Sequence, residues 1–380
     1  MPGGPAFADA LRRCWDAGDA VLPLDLRLPQ AAQQRLLQAL RPAIVLDESG
    51  SPTTLPGAEP VEDGDALVVA TSGTTGEAKG AVLTRSAVEA SARATSGRVG
   101  VDPARDRWLA CLPLAHVGGL SVVTRAVVTG TAVEIQPRFA VEDARRAAIE
   151  RGATLVSLVP AALSRLGLEG AALFRTIVVG GQRPPADAPP NVLATYGMTE
   201  TGSGVVYDGV ALEGVEVRTD AGEVWLRCPM LLRCYRDGTD PKTPDGWFAT
   251  GDAGALDAAG RLQIHGRLDD VVISGGENIW PVQVEAVLRT HPSVADVAVG
   301  GRPDPAWGAR LVAYVVPSPL AQETDPAVLL AQLRELVKGC LAPFAAPREI
   351  VVVAQLPRTA IGKVRRAELA TLDGLVARTG

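Results

Sequence analysis

The chain has 380 residues, of which 47% are hydrophobic and 21% are charged, and its formal net charge is −6. This length exceeds the usual size of a single hydrophobic core, so two domains are expected. The acidic balance argues against nucleic acid or an anionic membrane surface as the main partner, because both bind basic surfaces.

The N-terminal sequence and the cysteine pattern indicate the cellular compartment. Residues 1–5 lack the basic and apolar regions of a signal peptide, and no apolar run reaches the length of a membrane span. The five cysteines are scattered without CxxC spacing, which indicates reduced thiols. The three histidines form no clustered ligand pattern, so no zinc site is expected. These features predict a cytoplasmic protein without a membrane span, and a homodimer is compatible with them.

The first half of the chain alternates between strand and helix patterns. Short apolar runs predict strands at 43–47, 66–71, 107–112, 131–135, 154–159, 176–179 and 192–195. Helical patterns lie between several of them, at 86–97, 119–128, 142–151 and 161–166. This alternation predicts a layered α/β core with substantial parallel pairing.

The pattern changes twice in the second half. Short strands separated by Asp/Gly turns, at 215–218, 223–227, 254–256 and 261–265, suggest a small antiparallel sheet or barrel. After residue 269 the sequence predicts helices at 281–290, 326–340 and 365–375 and strands at 294–299, 310–316 and 350–353. The predicted fold class is therefore α/β, with a large N-terminal layered domain that carries a small antiparallel β-subdomain (residues 1–268) and a small α+β C-terminal domain (residues 269–380).

A run of hydroxyls, glycines and one lysine follows the apolar residues 66–69. Glycines let the backbone approach an anion closely, hydroxyls and amides donate hydrogen bonds, and a lysine neutralises charge. These features predict a phosphate-binding loop, although an ordinary Gly/Thr-rich turn is the structural alternative. The run is not a Walker A loop, because Gly76 is followed by Glu77-Ala78-Lys79-Gly80. Its candidate phosphate-binding residues are Thr71, Ser72, Gly73, Thr74, Thr75, Gly76 and Lys79.

Five further segments follow in order along the chain: YGMTET from residue 196, GWFATGD from 246, GRLDD from 266, SGGEN from 274 and PRTAIGK from 357. Together with TSGTTGEAKG from residue 71, they resemble the acyl-adenylate-forming superfamily of acyl-CoA synthetases, luciferases and peptide-synthetase adenylation domains. The resemblance extends over almost the whole chain from Val21, and a leading segment of typical members has no counterpart here. Within the superfamily, the sequence is most similar to the short o-succinylbenzoate–CoA ligases of menaquinone biosynthesis.

The resemblance implies an acid–thiol ligase that uses ATP, Mg²⁺ and coenzyme A. Such enzymes first join a carboxylate to AMP and then pass the acyl group to the thiol of coenzyme A. Thr199 would contact the α-phosphate, Glu200 would hold Mg²⁺, and Lys363 would reach the carboxylate and the α-phosphate from the small domain. Tyr196 would lie against the adenine, and Asp252 and Arg267 would hold the ribose hydroxyls. The loop residues 71–79 would hold the β- and γ-phosphates.

Each of these residues also has a structural alternative. Asp252 could end a turn, Glu200 could cap a helix, and Lys363 could be a solvated side chain. The resemblance places the hinge of a mobile C-terminal domain at Asp269. It also places Gly275 and Gly276 in a channel for the pantetheine arm of coenzyme A. Trp307 would stack on the coenzyme A adenine, or it could pack on the surface.

The acid substrate would lie beside the stretch LPLAHVGG at residues 112–119. His116 would sit at the mouth of the acyl pocket, unless it is a packed neutral histidine, and Gly180 and Gly181 would form the other wall. Arg125 would pair with the second carboxylate of o-succinylbenzoate, since a buried carboxylate needs a charge partner, and Arg183 is its rival. The leading hypothesis is an o-succinylbenzoate–CoA ligase. The alternatives are a ligase for another small aryl or acyl acid, an enzyme that feeds a carrier protein, and an adenylate-binding protein without catalysis.

Overall fold

The structure is a computed structural model that describes residues 4–47, 49–72, 78–185, 187–319, 324–358 and 364–379. The chain divides into two compact units. The first unit contains Met1–Arg218, Trp225–Ala249 and Leu256–Leu262, and the second contains Thr219–Val224, Thr250–Ala255 and Gln263–Gly380. The domain boundary expected after residue 268 stays a prediction.

The α-helices are α1 Pro5–Asp16, α2 Gln30–Leu40, α3 Arg85–Val99, α4 Val117–Thr129, α5 Val141–Arg151, α6 Pro160–Ala171, α7 Pro281–Leu288 and α8 Pro326–Cys340. The strands of the first half are β1 Ile44–Leu46, β2 Pro52–Thr54, β3 Asp65–Ser72, β4 Ala78–Thr84, β5 Arg107–Ala110, β6 Ala132–Ile135, β7 Leu155–Leu158, β8 Thr176–Val179, β9 Val192–Gly197, β10 Gly204–Tyr207 and β11 Val210–Ala211. Those that follow are β12 Glu216–Asp220, β13 Glu223–Arg227, β14 Cys234–Tyr235, β15 Phe248–Leu256, β16 Leu262–Arg267, β17 Val272–Ser274, β18 Glu277–Ile279, β19 Val294–Asp304, β20 Gly308–Pro317, β21 Glu349–Val352 and β22 Leu375–Arg378. Within the described residues, no helix is both long and apolar enough to cross a bilayer.

A seven-stranded sheet forms the centre of the first unit, in the order β11-β10-β9-β8-β7-β5-β6. Strands β6, β5, β7, β8 and β9 pair in parallel, and β10 and β11 are antiparallel additions at one edge. Strands β7 and β8 are buried along their whole length, as expected for parallel strands covered on both faces. The predicted parallel α/β core is therefore confirmed.

Two hydrophobic clusters cover the two faces of this sheet. Successive side chains of a strand point to opposite faces, so Trp108 packs with residues of α1, α3 and α4 in one cluster, whereas Leu109 packs with residues of α5 and α6 in the other. The parallel sheet is thus packed on both faces. Open α/β sheets of this kind bind ligands at the carboxyl ends of their strands.

The strand predicted at 66–71 belongs to a different sheet from the parallel core. It forms β3, which pairs antiparallel with β4, and β14 pairs with the other side of β4. Strand β3 therefore lies outside the parallel core, because only five residues separate it from β4 and such a short connection allows only antiparallel pairing. The strand predicted at 43–47 likewise lies outside the core and pairs with β2.

The second unit contains a six-stranded sheet with the path β18-β17-β20-β21-β22, and β19 pairs with β20. Helices α7 and α8 bury Val284, Leu288, Leu333 and Val337 in one cluster with this sheet. The α+β character expected after residue 269 is found. Strands β12, β13, β15 and β16 form a further sheet in that order.

The helix predicted at 365–375 is wrong. The segment forms a 3₁₀ turn at Arg366–Thr371 and then strand β22, which pairs antiparallel with β21. Gly374 precedes the strand at a close approach, since a Cβ atom there would lie 2.2 Å from the carbonyl oxygen of Val352. Pairing with the sheet therefore overrides the local helical pattern.

A buried carboxylate joins three strands of this sheet. Glu349 on β21 has no solvent exposure and lies 2.5 Å from Arg302 Nη1 on β19, 3.2 Å from Arg310 Nε on β20 and 2.7 Å from Arg378 Nε on β22. The Arg310 and Arg378 contacts, both to Glu349 Oε2, are ion pairs without hydrogen-bond alignment, whereas Arg302 donates a hydrogen bond to Oε1. Because a buried carboxylate needs charge compensation, the three guanidinium groups hold these strands together around Glu349.

Candidate active site

Two antiparallel strands flank the predicted phosphate loop. Thr71 and Lys79 are partners in the register of β3 and β4, and the Thr71 hydroxyl donates a hydrogen bond to the Lys79 carbonyl oxygen at 3.2 Å. Ser72 is the last residue of β3. The remaining predicted loop residues, Gly73, Thr74, Thr75 and Gly76, lie outside the described residues. The described flanks therefore bring a hydroxyl and an exposed ammonium group to the end of one strand pair.

The Lys79 ammonium group lies over an aromatic ring that the sequence did not single out. Its Nζ atom is 5.2 Å from the ring centroid of Tyr235 on β14. The Tyr235 hydroxyl donates a hydrogen bond to Glu200 Oε1 at 2.9 Å. Burial raises the pKa of Tyr235, and the nearby charge of Glu200 raises it further, so the phenol remains a proton donor. Lys79 and Glu200, predicted to bind phosphate and metal, are thus connected through one side chain.

Glu200 sits in a 3₁₀ turn, Thr199–Thr201, just after β9. The turn is fixed by Thr201, which is fully buried: its hydroxyl accepts from the Met198 amide at 3.0 Å and donates to the Ser203 carbonyl at 2.7 Å. Tyr196 lies half-buried on β9. No group of three or more His, Cys, Asp or Glu side chains able to hold a metal occurs among the described residues. A single carboxylate fits Mg²⁺, which is usually held by one or two carboxylates together with substrate phosphates.

The two residues predicted to hold ribose lie together in the second unit. Arg267 Nη1 donates to the Thr250 carbonyl oxygen at 2.8 Å and lies 3.4 Å from Oδ1 of Asp252, which is 9% exposed. Asp269, the predicted hinge residue, lies in the 3₁₀ turn Leu268–Asp270, and its Oδ2 is 3.6 Å from Arg267 Nη2. Asp252 therefore does more than end a turn, since Arg267 fixes its carboxylate.

His116 occupies the N-cap position of α4 and lies beside a buried carboxylate. Its Nε2 atom is 3.4 Å from Asp25 Oδ2, at ion-pair distance but without hydrogen-bond alignment. Asp25 accepts hydrogen bonds from Arg27 Nε at 2.8 Å and Nη2 at 2.7 Å. Burial lowers the pKa of His116 and the Asp25 charge opposes this only in part, so the imidazole is neutral near pH 7.

Arg125 is buried in the first unit with only 2% exposure. Its Cζ atom lies 4.7 Å from the ring centroid of Trp108, and its Nη2 donates to the Ser203 hydroxyl at 3.2 Å. The buried Nε and Nη1 atoms find no hydrogen-bond partner among the described residues, and no carboxylate of those residues pairs with the guanidinium. By contrast, its predicted rival Arg183 is exposed.

Gly180 and Gly181, the predicted second wall of the acyl pocket, follow β8 directly. A Cβ atom at Gly180 would lie 3.0 Å from Thr195 Oγ1, and Gly181 has a φ of +83°. Both positions thus restrict larger side chains, the first by space and the second by backbone conformation.

The residues predicted to line the coenzyme A channel lie together at the turn between β17 and β18. Gly275 and Gly276 have φ values of +61° and +85°. A Cβ atom at Gly275 would lie 3.0 Å from Trp307 Cε3, whereas one at Gly276 would meet no atom within 4 Å. The Arg348 Cζ atom lies 3.7 Å from the ring centroid of Trp307, a contact that the sequence did not predict.

Lys363 lies outside the described residues, so its predicted catalytic role stays a prediction. Sequence reasoning missed Tyr235, Asp25 and Arg348. Asp25 belongs to the stretch from Val21 that carries the family resemblance, which was a usable signal. Tyr235 and Arg348 offered none, because their partners lie far away in the sequence.

Two family models match the chain. The family model of the AMP-binding enzymes matches residues 46–228, and that of the AMP-binding enzyme C-terminal domain matches residues 283–363. A probable 2-succinylbenzoate–CoA ligase of Mycobacterium tuberculosis is 40% identical over 365 residues, covering 89% of this chain and 93% of the relative. The 2-succinylbenzoate–CoA ligase of Listeria monocytogenes is 35% identical, covering 80% of this chain and 69% of the relative.

A solved structure is similar over nearly the whole chain. The o-succinylbenzoate CoA synthetase of Bacillus subtilis, in complex with its acyl-adenylate intermediate, superimposes with a TM-score of 0.76 and 28% identity, covering 96% of this chain and 81% of that one. The predicted fold class, with a large N-terminal and a small C-terminal domain, matches this structure. The chain therefore belongs to the AMP-binding, acyl-adenylate-forming enzymes, in the family that contains the 2-succinylbenzoate–CoA ligases.

Proposed function

We propose that this protein is an AMP-forming acid–thiol ligase that converts 2-succinylbenzoate, ATP and coenzyme A into 2-succinylbenzoyl-CoA, AMP and pyrophosphate. The names of the relatives and the acyl-adenylate bound in the related solved structure support this activity. In the first half-reaction, a carboxylate oxygen of the acid attacks the α-phosphorus and pyrophosphate leaves. In the second, the thiol sulfur attacks the acyl carbon, its proton passes to solvent, and AMP leaves.

Arg125 is the observation that carries the choice of acid. It is a buried cation with two nitrogen atoms that have no partner in the described parts of the chain, and such a group is costly to retain without a ligand. A substrate with a second carboxylate would supply the missing acceptor and charge. A fatty acid would instead leave the guanidinium unpaired, so the burial of Arg125 favours a dicarboxylic substrate.

The remaining side chains fit a reaction that depends on positioning and charge neutralisation. Lys79 and Thr71 would bind the outer phosphates, Glu200 would hold Mg²⁺, and Thr199 would contact the α-phosphate. When bound, Mg²⁺ would neutralise charge on the phosphate oxygens. Asp252 would hold the ribose, with Arg267 fixing its carboxylate. Each removal of a preorganised donor should cost on the order of 10²–10³ in rate.

The C-terminal part of the site follows the same proposal. Lys363 would bring an ammonium group to the reacting carboxylate, with Asp269 as the hinge of a mobile C-terminal domain. Gly275, Gly276 and Trp307 would line the path of coenzyme A. The homodimer and the cytoplasmic location stay predictions.

A panel of carboxylic acids tests the proposal on the purified full chain. Pyrophosphate release and thioester formation are measured with 2-succinylbenzoate, benzoate, succinate and a medium-chain fatty acid, each with and without coenzyme A. We expect pyrophosphate release with 2-succinylbenzoate and thioester formation when coenzyme A is added. A preference for a monocarboxylic acid would contradict the proposed substrate, and pyrophosphate release without any thioester would contradict the proposed acceptor.

A further inference from the structure

A short segment around β14 touches both halves of the phosphate and metal site. The Arg233 amide donates to the Val82 carbonyl at 2.8 Å, and the Arg236 amide donates to the Gly80 carbonyl at 2.7 Å, both on the strand that leaves the phosphate loop. At its other end, the Leu232 amide donates to the carbonyl oxygen of Glu200 itself at 2.7 Å. The backbone of Leu232–Arg236 therefore joins strand β4 to the turn that carries the metal-binding carboxylate.

Gly80 makes this close approach of β14 to β4 feasible. A Cβ atom at position 80 would lie 2.8 Å from Leu40 Cδ2, 2.9 Å from Val68 Cγ1 and 3.2 Å from Arg236 Cβ. Cβ atoms in folded proteins hardly ever lie so near their neighbours, because interiors are already close-packed. The glycine therefore has a packing reason besides any role near phosphate.

Two cationic side chains brace the same segment. The Lys242 ammonium group donates to the carbonyl oxygens of Leu232 and Arg233, both at 2.8 Å. The Arg236 guanidinium donates to the carbonyl oxygens of Leu40 at 3.0 Å and Pro60 at 3.1 Å. Bonds from charged donors are stronger than neutral ones, so the backbone that presents Tyr235 is held on both sides.

We propose that Tyr235 is a positioning residue that holds the Glu200 carboxylate and the Lys79 ammonium group in one arrangement for the metal-bound nucleotide. This inference rests on the proposed function. The Tyr235 hydroxyl engages Oε1 of Glu200 at 2.9 Å, and the face of the same ring lies 5.2 Å from Lys79 Nζ. The hydroxyl thus fixes one carboxylate oxygen, Oε1, and a cation would bind at the other, Oε2.

The two contacts of Tyr235 have different physical consequences. The hydroxyl removes rotational freedom from a carboxylate that binds a hard cation, which is how outer groups tune metal affinity. The ring attracts an ammonium group through its quadrupole and limits where the long lysine side chain can go. Loss of the hydroxyl should therefore weaken metal binding selectively, whereas loss of the ring should also weaken nucleotide binding without metal.

Binding measurements separate these effects from catalysis. Mn²⁺ binding is followed by electron paramagnetic resonance in the presence of α,β-methylene-ATP, whose reacting bond cannot be cleaved. We expect Tyr235→Phe to weaken Mn²⁺ binding about tenfold and to change metal-free nucleotide binding by less than about twofold. Tyr235→Leu should weaken both. Tyr314→Phe removes a buried phenol hydroxyl in the second unit and is the matched control, expected to leave both affinities unchanged.

A double variant tests whether the effect of Tyr235 on metal binding acts through Glu200. In Glu200→Gln, adding Tyr235→Phe should change Mn²⁺ binding by less than about twofold, because the carboxylate that the hydroxyl positions is already gone. Unchanged Mn²⁺ binding in Tyr235→Phe, or an equal loss with and without Glu200, overturns the proposal. These binding results do not depend on the acid substrate. Failure of the acid panel with an intact Tyr235 effect would refute only the proposed function, and the reverse would refute only this inference.

Discussion

Replacing Arg125 by leucine should remove recognition of a dicarboxylic substrate while sparing the fold. In the unliganded protein, Arg125 Nε and Nη1, which have no partner in the described part of the chain, each cost about 1–3 kcal/mol. The contact with Trp108 and the hydrogen bond to Ser203 offset this by about 2–3 kcal/mol together. The variant also loses some packing volume, so the free energy of unfolding should change by less than about 2 kcal/mol.

The effect on the substrate should be larger, because the carboxylate would then be buried without a partner. Breaking a buried pair by removal of one charge costs about 3–5 kcal/mol. At about 1.4 kcal/mol per factor of ten, kcat/KM for 2-succinylbenzoate should fall on the order of 10²–10⁴-fold. For benzoate, which has no second carboxylate, the change should stay within about threefold.

The assay is initial-rate pyrophosphate release for both acids, with unfolding in urea measured on the same preparations. Arg183→Leu is the matched control, since it removes an exposed arginine near the same predicted wall of the pocket. Equal losses for the diacid and the monoacid would refute the reasoning. A selective loss of the diacid in Arg183→Leu, with none in Arg125→Leu, would assign the charge partner to Arg183.

Three further predictions concern Gly276 in the proposed coenzyme A channel, the Asp25 carboxylate beside His116, and the thiols of Cys111 and Cys340. Gly276→Trp should slow thioester formation from supplied acyl-adenylate while sparing pyrophosphate release, as measured by separate half-reaction assays; unchanged coenzyme A kinetics would remove Gly276 from the channel. The hydrogen bonds from Arg27 hold the pKa of Asp25 below its usual range. The ionised carboxylate therefore stabilises the folded protein at any pH above the ordinary carboxyl pKa, and this stabilisation disappears as the pH falls through the lowered pKa of the folded state. Asp25→Asn should therefore lower the free energy of unfolding in urea by about 1 kcal/mol at neutral pH, a modest value because Arg27 is partly exposed. This loss should vanish in acid, and a loss that does not depend on pH would contradict the reasoning. Burial raises the pKa of the Cys111 thiol to about 12, whereas Cys340 is exposed. At mildly alkaline pH, iodoacetamide should therefore label Cys340 at least about a hundredfold faster than Cys111, as measured by peptide mass mapping. Comparable labelling rates would mean that the interior around Cys111 opens.

The sequence predicted the parallel core well because its strands are continuous apolar runs. Strands β7 and β8 were found at 155–158 and 176–179 within the predicted bounds, and both are buried throughout. Asp252 and Arg267 were both assigned to ribose from their motifs, and the structure places them 3.4 Å apart. Periodicity thus predicts elements because it depends on neighbouring residues, and the motifs identified two side chains that lie together, while their ribose-binding role stays a prediction.

Tertiary pairing accounts for what the sequence did not predict. Tyr235 lies 35 residues from Glu200 in the sequence, and their contact depends on the pairing of β14, a strand of two residues that is too short to show any periodicity. The segment at 365–375 has a helical pattern, yet it forms only a 3₁₀ turn and leads into β22, which pairs with β21. Such choices are made by partners distant in sequence, which local propensity cannot include.

The cluster around Glu349 has a practical consequence for protein engineering. One of its three arginines, Arg378, is the final residue of β22. A deletion that removes Arg378 would take both a strand and a counter-charge from a carboxylate with no access to water. Truncation before Arg378 would therefore disturb the interior of the C-terminal sheet, whereas an Arg378→Lys substitution would keep a positive charge beside the carboxylate.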